Sequence, residues 1–298
     1  MRKPKKHKMK GDNSMQIIST IALVFVLVVV GYPVIYVISC SFSGGQALST
    51  GRVLLWPVEF TLAGYKYIMN YKAVLIGLRN TIFYTIAGTF TTMFMTICTG
   101  YVVSRKEYPR RGFVLKIFVI AMMTTAGLIP AFIIRAKYGL VGSPLAVILS
   151  GAIGMRNLTI MRTAFESIPD ELYDSAQMDG ATHIQRMLQI GLPLTKATVS
   201  TLTLFAMVGC WNEYFNSMIY LRDANLYPLQ LVLRGLLTAA ANIDTSAATT
   251  AEMLEVAQNG ADQIRYALIV FATVPCLIFY WVVQKFFTKG TLAGAVKG

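Results

Sequence analysis

The residues that could do chemistry in this chain are few. A membrane-embedded enzyme needs a nucleophile–base pair or metal ligands at membrane depth. The two histidines, His7 and His183, fall outside the apolar runs, and no H-E-x-x-H occurs. Cys40, Cys98, Cys210 and Cys276 are far apart, with none of the paired spacings of structural zinc. They read as thiols packed as small hydrophobes. No phosphate loop of the form G-x-x-x-x-G-K-[ST] and no ring-forming filter motif is present. What remains is polar groups inside apolar runs: Arg156 and Asn157 in one, Asn212 and Glu213 in another, with Trp211, Tyr214 and Asn216 around the second pair. Charge in a span is costly and usually faces a cavity or a partner. Hydrogen-bonding groups beside aromatic faces can line a path for a polar solute. One reading is therefore a substrate pathway with an Arg156–Glu213 pair; the other is an interhelical network or a contact with a second membrane subunit.

A second constellation lies in the connection 166–195. Pro169 suits a first helical position, and Asp170 and Glu171 suit the positive end of a helix dipole. Ser167 and Asp170 have the spacing of a capping pair. Leu172, Tyr173 and Ala176 share a helical face, and Gly180 is a natural stop. Thr182 with Gln185 starts a second helix, whose apolar stripe is Ile184, Met187 and Leu188. Gly191-Leu192-Pro193 is expected to end it. Two short helices thus meet at a glycine-marked elbow, a shape that fits a groove on another protein. An interfacial helix on lipid is the alternative, but Glu171, Asp174 and Asp179 would be repelled by anionic headgroups. The carboxylates favour a protein partner with a basic or mixed-charge cleft.

The elements that must position these residues follow from composition. The chain has 298 residues, 55% apolar and only 14% charged, with a net charge of +13. Soluble chains carry about 25% charged residues. Disorder, a disulfide scaffold and a typical soluble enzyme are excluded. Six segments are long and apolar enough to cross a bilayer, at about 17–39, 80–103, 113–134, 143–163, 198–221 and 264–284. Their continuous runs lack the alternation of a membrane barrel. Lys and Arg crowd the N-terminal tail, the turn holding Arg105, Lys106, Arg110 and Arg111, the 166–195 connection and the C-terminus. That side is expected to be cytoplasmic, with both termini inside. The basic tail, residues 1–14, reads as a topology determinant touching anionic lipid, not as a nucleic-acid patch. Val37-Ile38-Ser39-Cys40 resembles a lipoprotein signal, but the apolar core exceeds the ~7–15 residues of a signal peptide. An uncleaved first helix is expected.

The elbow carries a resemblance. Permease subunits of ABC importers show E-A-A, three residues, G, nine residues, I-x-L-P. Here Asp174-Ser175-Ala176 is followed after three residues by Gly180 and after nine more by Ile190-Gly191-Leu192-Pro193. Asp174 and Ser175 replace Glu and Ala, and Asp174 keeps the carboxylate with a shorter reach. Asp179-Gly180-Ala181 has the form seen in sugar permeases. Gly127-Leu128-Ile129-Pro130, Trp211-Asn212-Glu213 and the stretches Gln284 to Phe287 and Gly294 to Gly298 also resemble the carbohydrate-uptake branch, which includes maltose-transporter-like subunits and importers of oligosaccharides from polysaccharide breakdown. The likeness spans roughly residues 15–298.

That resemblance implies an all-α integral membrane fold with six transmembrane helices, the type I ABC importer permease architecture. It implies a non-catalytic membrane subunit in a bacterial plasma membrane, paired with a second, unlike permease. ATP and Mg would be bound by two separate ATPase subunits, and an extracellular solute-binding protein would deliver a sugar or oligosaccharide. The elbow, about 169–193, would dock in the ATPase through Glu171, Asp174, Ser175, Ala176, Asp179, Gly180, Ala181, Ile190, Leu192 and Pro193. The external loop, about 222–263, reaches the binding protein in similar permeases, which makes Thr249, Thr250, Glu252 and Glu255 contact candidates by position. The other reading of that loop is a surface segment with a short helix.

Overall fold

The computed structural model describes residues 11–124, 127–241 and 261–295, and every regular element among them is helical. In chain order these are α1 (Gly11–Ser41), α2 (Gly45–Ser49), α3 (Ala63–Asn70), α4 (Lys72–Ser104), α5 (Arg111–Met123), α6 (Leu128–Lys137), α7 (Pro144–Ser150) and α8 (Met155–Glu166). There follow α9 (Asp170–Met178), α10 (His183–Leu194), α11 (Lys196–Trp211), α12 (Phe215–Tyr220), α13 (Leu229–Ala241) and α14 (Ala261–Ala295). Two compact units divide them. One holds the chain through Asn70 with Ala239–Phe271, the other Tyr71–Thr238 with Ala272–Gly298.

In the first unit, α1 is apolar all round, as a lipid-facing helix must be. Its end folds onto a small core of Cys40, Ala47 and Val53. Serine hydroxyls satisfy the turn that follows: Ser39 donates to the Leu55 carbonyl (2.6 Å), and Ser43 accepts from the Val58 amide (3.1 Å).

In the second unit, α4 is the central rod, with α7, α8 and α11 against it. Its buried side is rich in Gly and Thr, including Thr81, Thr85, Gly88, Thr92 and Thr96. In lipid there is no water to squeeze out between helices, so close packing of small residues must hold them together. Gly88 illustrates this: a Cβ there would stand 2.8 Å from the Cys210 sulfur. At the other end, α4 pins the start of the 222–263 connection. Asn80 Nδ2 donates to the carbonyls of Asn225 (2.7 Å) and Tyr227 (3.0 Å), and the Leu229 amide donates to Thr81 Oγ1 (2.7 Å).

Continuous helices were expected for all six apolar segments, and three differ. Among the described residues, only α1 from Met15, α4 and the Asp262–Val282 part of α14 are single helices long and apolar enough to span by themselves. The third segment divides into α5 and α6, and Gly127 before α6 sits at φ 71. The fourth divides into α7 and α8, bent by 50° at Gly151 to Gly154. The fifth ends at Trp211 and restarts at Phe215. There, Asn212 Nδ2 donates to the Val208 carbonyl (2.9 Å), while the Glu213 carboxylate accepts from the Asn216 amide (2.7 Å). The Glu213 side chain thus takes the Asn216 amide, which a continuous helical ladder would give to the Asn212 carbonyl. A window of apolar residues reports mean hydropathy and is blind to such local competition.

Candidate functional site

The elbow is α9 and α10, held between α8 and α11. Ser167 does not pair with Asp170; it caps the preceding helix, its hydroxyl donating to the Ala164 carbonyl (2.8 Å). Pro169 is the N-cap residue of α9, not its first helical position, with ψ 134 in the extended range. Gly180 adopts φ +79, the left-handed stop its type foretold. Thr182 and Gln185 form the full capping box. The Gln185 amide donates to Thr182 Oγ1 (3.3 Å), and the Thr182 amide donates to Gln185 Oε1 (2.8 Å). Gly191-Leu192-Pro193 does not end α10. The helix widens into a π segment over Arg186–Gly191 and continues to Leu194. Pro193 has no N–H to donate, and it falls in the first turn of the Leu192–Leu194 segment after the widening, where none is required. The chain then turns by 85° into α11.

The elbow's inner face rests on a core of Met93, Tyr101, Met161, Phe165, Ile168, Tyr173 and Leu202, with Met187, Ile190 and Leu192 packed against it. Three helices of the second unit, α4, α8 and α11, contribute to this platform. Two buried arginines complete it. Arg105 is 7% exposed; its Nε donates to Ser104 Oγ (3.1 Å) and its Nη2 to the Phe165 carbonyl (3.0 Å). Its guanidinium carbon lies 4.0 Å from the ring centre of Tyr173 and 5.5 Å from that of Tyr101. A desolvated cation–π contact of this kind contributes about 2 kcal/mol. Arg186, 4% exposed, donates to Gln177 Oε1 (2.8 Å) and thereby ties α10 to α9. Burial pushes the Tyr173 phenol up, against the opposing pull of Arg105. Linear spacing gave no sign of these contacts: Arg105 read only as part of a basic turn.

The sequence-predicted docking residues separate by exposure. Glu171, Asp174, Ser175, Asp179, Gly180 and Pro193 are exposed; Ala176 and Ala181 are half-buried; Ile190 and Leu192 face the platform. Leu172 does not join Tyr173 in the core; it is exposed with Met178, Ile184 and Leu188. The outer face is therefore apolar with carboxylates among the apolar groups, a composition that fits a protein groove and not bulk water. Lys106 and Asp170 form an exposed pair (2.9 Å), and Lys106 holds the Asp170 carboxyl below its ordinary range. Arg111 and Arg162 both pair with Glu166 beneath the elbow. Beside α10 opens an apolar cavity of about 550 Å³, lined by Cys98, Val102, Tyr108, Pro109 and Met187 among others.

The intramembrane polar residues do not form one cluster. Arg156 is exposed, and no ion pair joins it to Glu213. Glu213 is engaged instead with Asn216, whose Nδ2 donates to its Oε2 (2.8 Å). The bend before α8 turns Asn157, not Arg156, toward Glu213: both line a cavity of about 250 Å³ with Tyr84, Thr92 and Cys210. Trp211 is buried, its Nε1 donating to the Ala272 carbonyl (2.9 Å), and its ring meets Phe279 edge-on. Asn212 accepts from Gln230 (3.3 Å), and Tyr214 lies under the Arg234 guanidinium (4.5 Å). Arg135 also emerges as a hub, donating to the Tyr220 hydroxyl (2.7 Å) and Ser150 (3.3 Å). Thr249, Thr250, Glu252 and Glu255 lie outside the described residues.

Helices that span a membrane, broken at polar and glycine positions, and a capped elbow mounted between two of them define the membrane subunit of a transporter. The chain belongs to the family described as the binding-protein-dependent transport system inner membrane component, which matches residues 73–293. It is similar to Protein LplC of Bacillus subtilis (strain 168), 34% identical over 89% of each chain. It is also similar to the polygalacturonan/rhamnogalacturonan transport system permease protein YtcP of the same organism, 33% identical over 93% of this chain and 95% of that one. Among solved structures, a chain of a bacterial ABC transporter involved in the import of the acidic polysaccharide alginate matches with a TM-score of 0.84 and 29% identity, covering 95% of this chain and 100% of that one. The protein is thus a multi-pass inner-membrane permease of the all-α ABC type.

Proposed function

We propose that this permease forms part of the path for an oligosaccharide, and that its elbow docks in a separate ATPase. The cytoplasmic side would then hold the elbow and both termini. A second permease and two ATPase subunits complete the importer, ATP and Mg bind the ATPases, and an external binding protein delivers the sugar. The observation that supports this most is the elbow itself: a carboxylate-bearing, partly apolar outer face on a capped, left-handed turn, backed by a three-helix platform. The relatives named for polygalacturonan, rhamnogalacturonan and alginate support a saccharide cargo. ATP binding would favour one of two packings of the spans, with the elbow carrying the preference into the bundle. An affinity-tagged chain is expected to co-purify with an ATPase and a second permease and, reconstituted with the binding protein, to import oligosaccharide. Isolation as an active homo-oligomer free of any ATPase overturns the reading.

A further inference from the structure

We propose that Arg105 is a positioning residue that fastens the end of the second span, α4, to the elbow, so that motion of the elbow enters the bundle through α4 as well as through its own flanking helices. The proposal rests on the reading of the elbow as the ATPase-docking element.

Covalently, the elbow is attached only to α8 and α11. Displacement of α9 would reach α4 only through side chains. Arg105 is placed to carry it. Its residue directly follows α4; its Nη2 donates to the Phe165 carbonyl in the last turn of α8; its planar face lies on Tyr173 at the middle of α9. One side chain therefore touches the ends of two spans and the first helix of the elbow. The Phe165 carbonyl belongs to the negative end of α8, where a cation complements the helix dipole.

The chemistry is specific to arginine. No ion pair to a carboxylate involves Arg105 among the described residues, so its charge is balanced by a carbonyl, a hydroxyl and two aromatic faces. Lysine offers a compact charge without a flat face or a fixed fork, and it cannot make the stack and the two directed bonds together. Buried at 7% exposure, the group has little solvent contact to replace a lost partner, so losing one is costly. The neighbouring Lys106 pair is the opposite case: exposed on both sides and free to re-form with solvent.

The test uses the reconstituted transporter with its ATPase, binding protein and oligosaccharide. Arg105→Ala and Arg105→Lys are compared with the unaltered chain for assembly, ATP hydrolysis and uptake. The expected result is retained assembly, with sugar imported per ATP falling roughly tenfold in Arg105→Ala, within the range of measured coupling energies, and by less in Arg105→Lys. A purely structural role would lower assembly and both activities together. A second readout does not depend on turnover. With the native cysteines replaced, spin labels at Glu107→Cys and Met178→Cys report the separation of the α4 end from α9. It is expected to stay constant through the nucleotide cycle, and to broaden when Arg105→Ala is added. An unbroadened distance, or an unchanged transport ratio, overturns the proposal. Asp174→Lys separates the two readings: if it uncouples while Arg105→Ala does not, the latch alone is wrong; if neither uncouples, the docking reading fails with it.

Discussion

Gly191 stands against Phe165 so closely that a Cβ on it would lie 3.0 Å from the ring's Cε1, and 3.3 Å from the Tyr173 hydroxyl. This position is the variable x of the I-x-L-P signature, yet the structure leaves it little freedom. Phe165 is wholly buried and Tyr173 nearly so, and neither ring can step aside without disturbing Tyr101, which meets Phe165 edge-on at 5.5 Å. Gly191→Val is therefore expected to overpack the platform by about 1–3 kcal/mol and to shift α10 outward. The check is the midpoint of thermal unfolding in detergent, together with the yield of ATPase recovered with the tagged chain. Both should fall; an unchanged midpoint would show that the platform has slack.

Gly180 fails differently. Nothing lies within 4 Å of a Cβ built there, so space is not the constraint, but φ +79 is. A non-glycine residue pays about 1–2 kcal/mol in the left-handed region, and Asn tolerates it best. The expectation is a ranking by backbone and not by size: Gly180→Asn milder than Gly180→Ala, and Gly180→Val worst because it is also β-branched. Membrane insertion should be intact in all three, with loss confined to uptake per ATP hydrolysed. A ranking that follows side-chain volume instead would move the constraint to the docked partner's surface.

These two glycines mark what sequence could and could not reveal. The left-handed turn at Gly180 and the capping box at Thr182 and Gln185 are local, set by residues within four positions, and were legible. So were the apolar segments that became α1, α4 and the Asp262–Val282 part of α14. The break after Trp211 was not, although Glu213 lies three positions from the amide it captures, because an apolar window averages over such competition; the bend before Met155 involves a neighbouring helix, with Thr92 Oγ1 donating to the Gly151 carbonyl (2.9 Å). The Arg156–Glu213 pair was reasonable by charge, but the bend before α8 leaves Arg156 exposed and brings Asn157 to the cavity instead. The arginines of the platform were hidden for a related reason: a basic turn at a membrane face has an adequate explanation in topology, and only packing distinguishes the buried Arg105 from the exposed Lys106 beside it.

The Lys106–Asp170 pair gives a pH expectation. Lys106 lowers the Asp170 pKa below its ordinary value, so the pair's contribution is present above the ordinary carboxylate range and is lost as pH falls through the depressed pKa. Throughout the neutral range it is constant. Both groups are more than half exposed, so salt screens the pair and its contribution is small. Lys106→Ala should raise the Asp170 pKa back toward the ordinary value, read from its carboxyl carbon shift by NMR in a nanodisc. Uptake should show no new pH dependence near neutrality; the appearance of one would mean that Asp170 has a partner beyond Lys106.

Glu213 allows the two readings of the intramembrane polar groups to be separated. Its carboxylate accepts from the Asn216 amide and from Asn216 Nδ2, and so starts α12 after the break in the fifth segment. It also borders the 250 Å³ cavity with Asn157. A cap needs an acceptor, and Glu213→Gln keeps one, while Glu213→Ala removes it at a cost of about 1 kcal/mol. If the role is structural, Gln should behave as the native chain does, and Ala should lower the unfolding midpoint and uptake together. If the carboxylate meets cargo, Gln should preserve the midpoint but weaken uptake, because a neutral amide accepts more weakly from sugar hydroxyls than a carboxylate does. Asn157→Ala then provides the second axis. It removes no bond that starts α12, so under the structural reading its effect should add to that of Glu213→Gln, and under the pathway reading the two should be non-additive. The measurement is the concentration of binding-protein-bound oligosaccharide giving half-maximal uptake, taken for both single variants and the double.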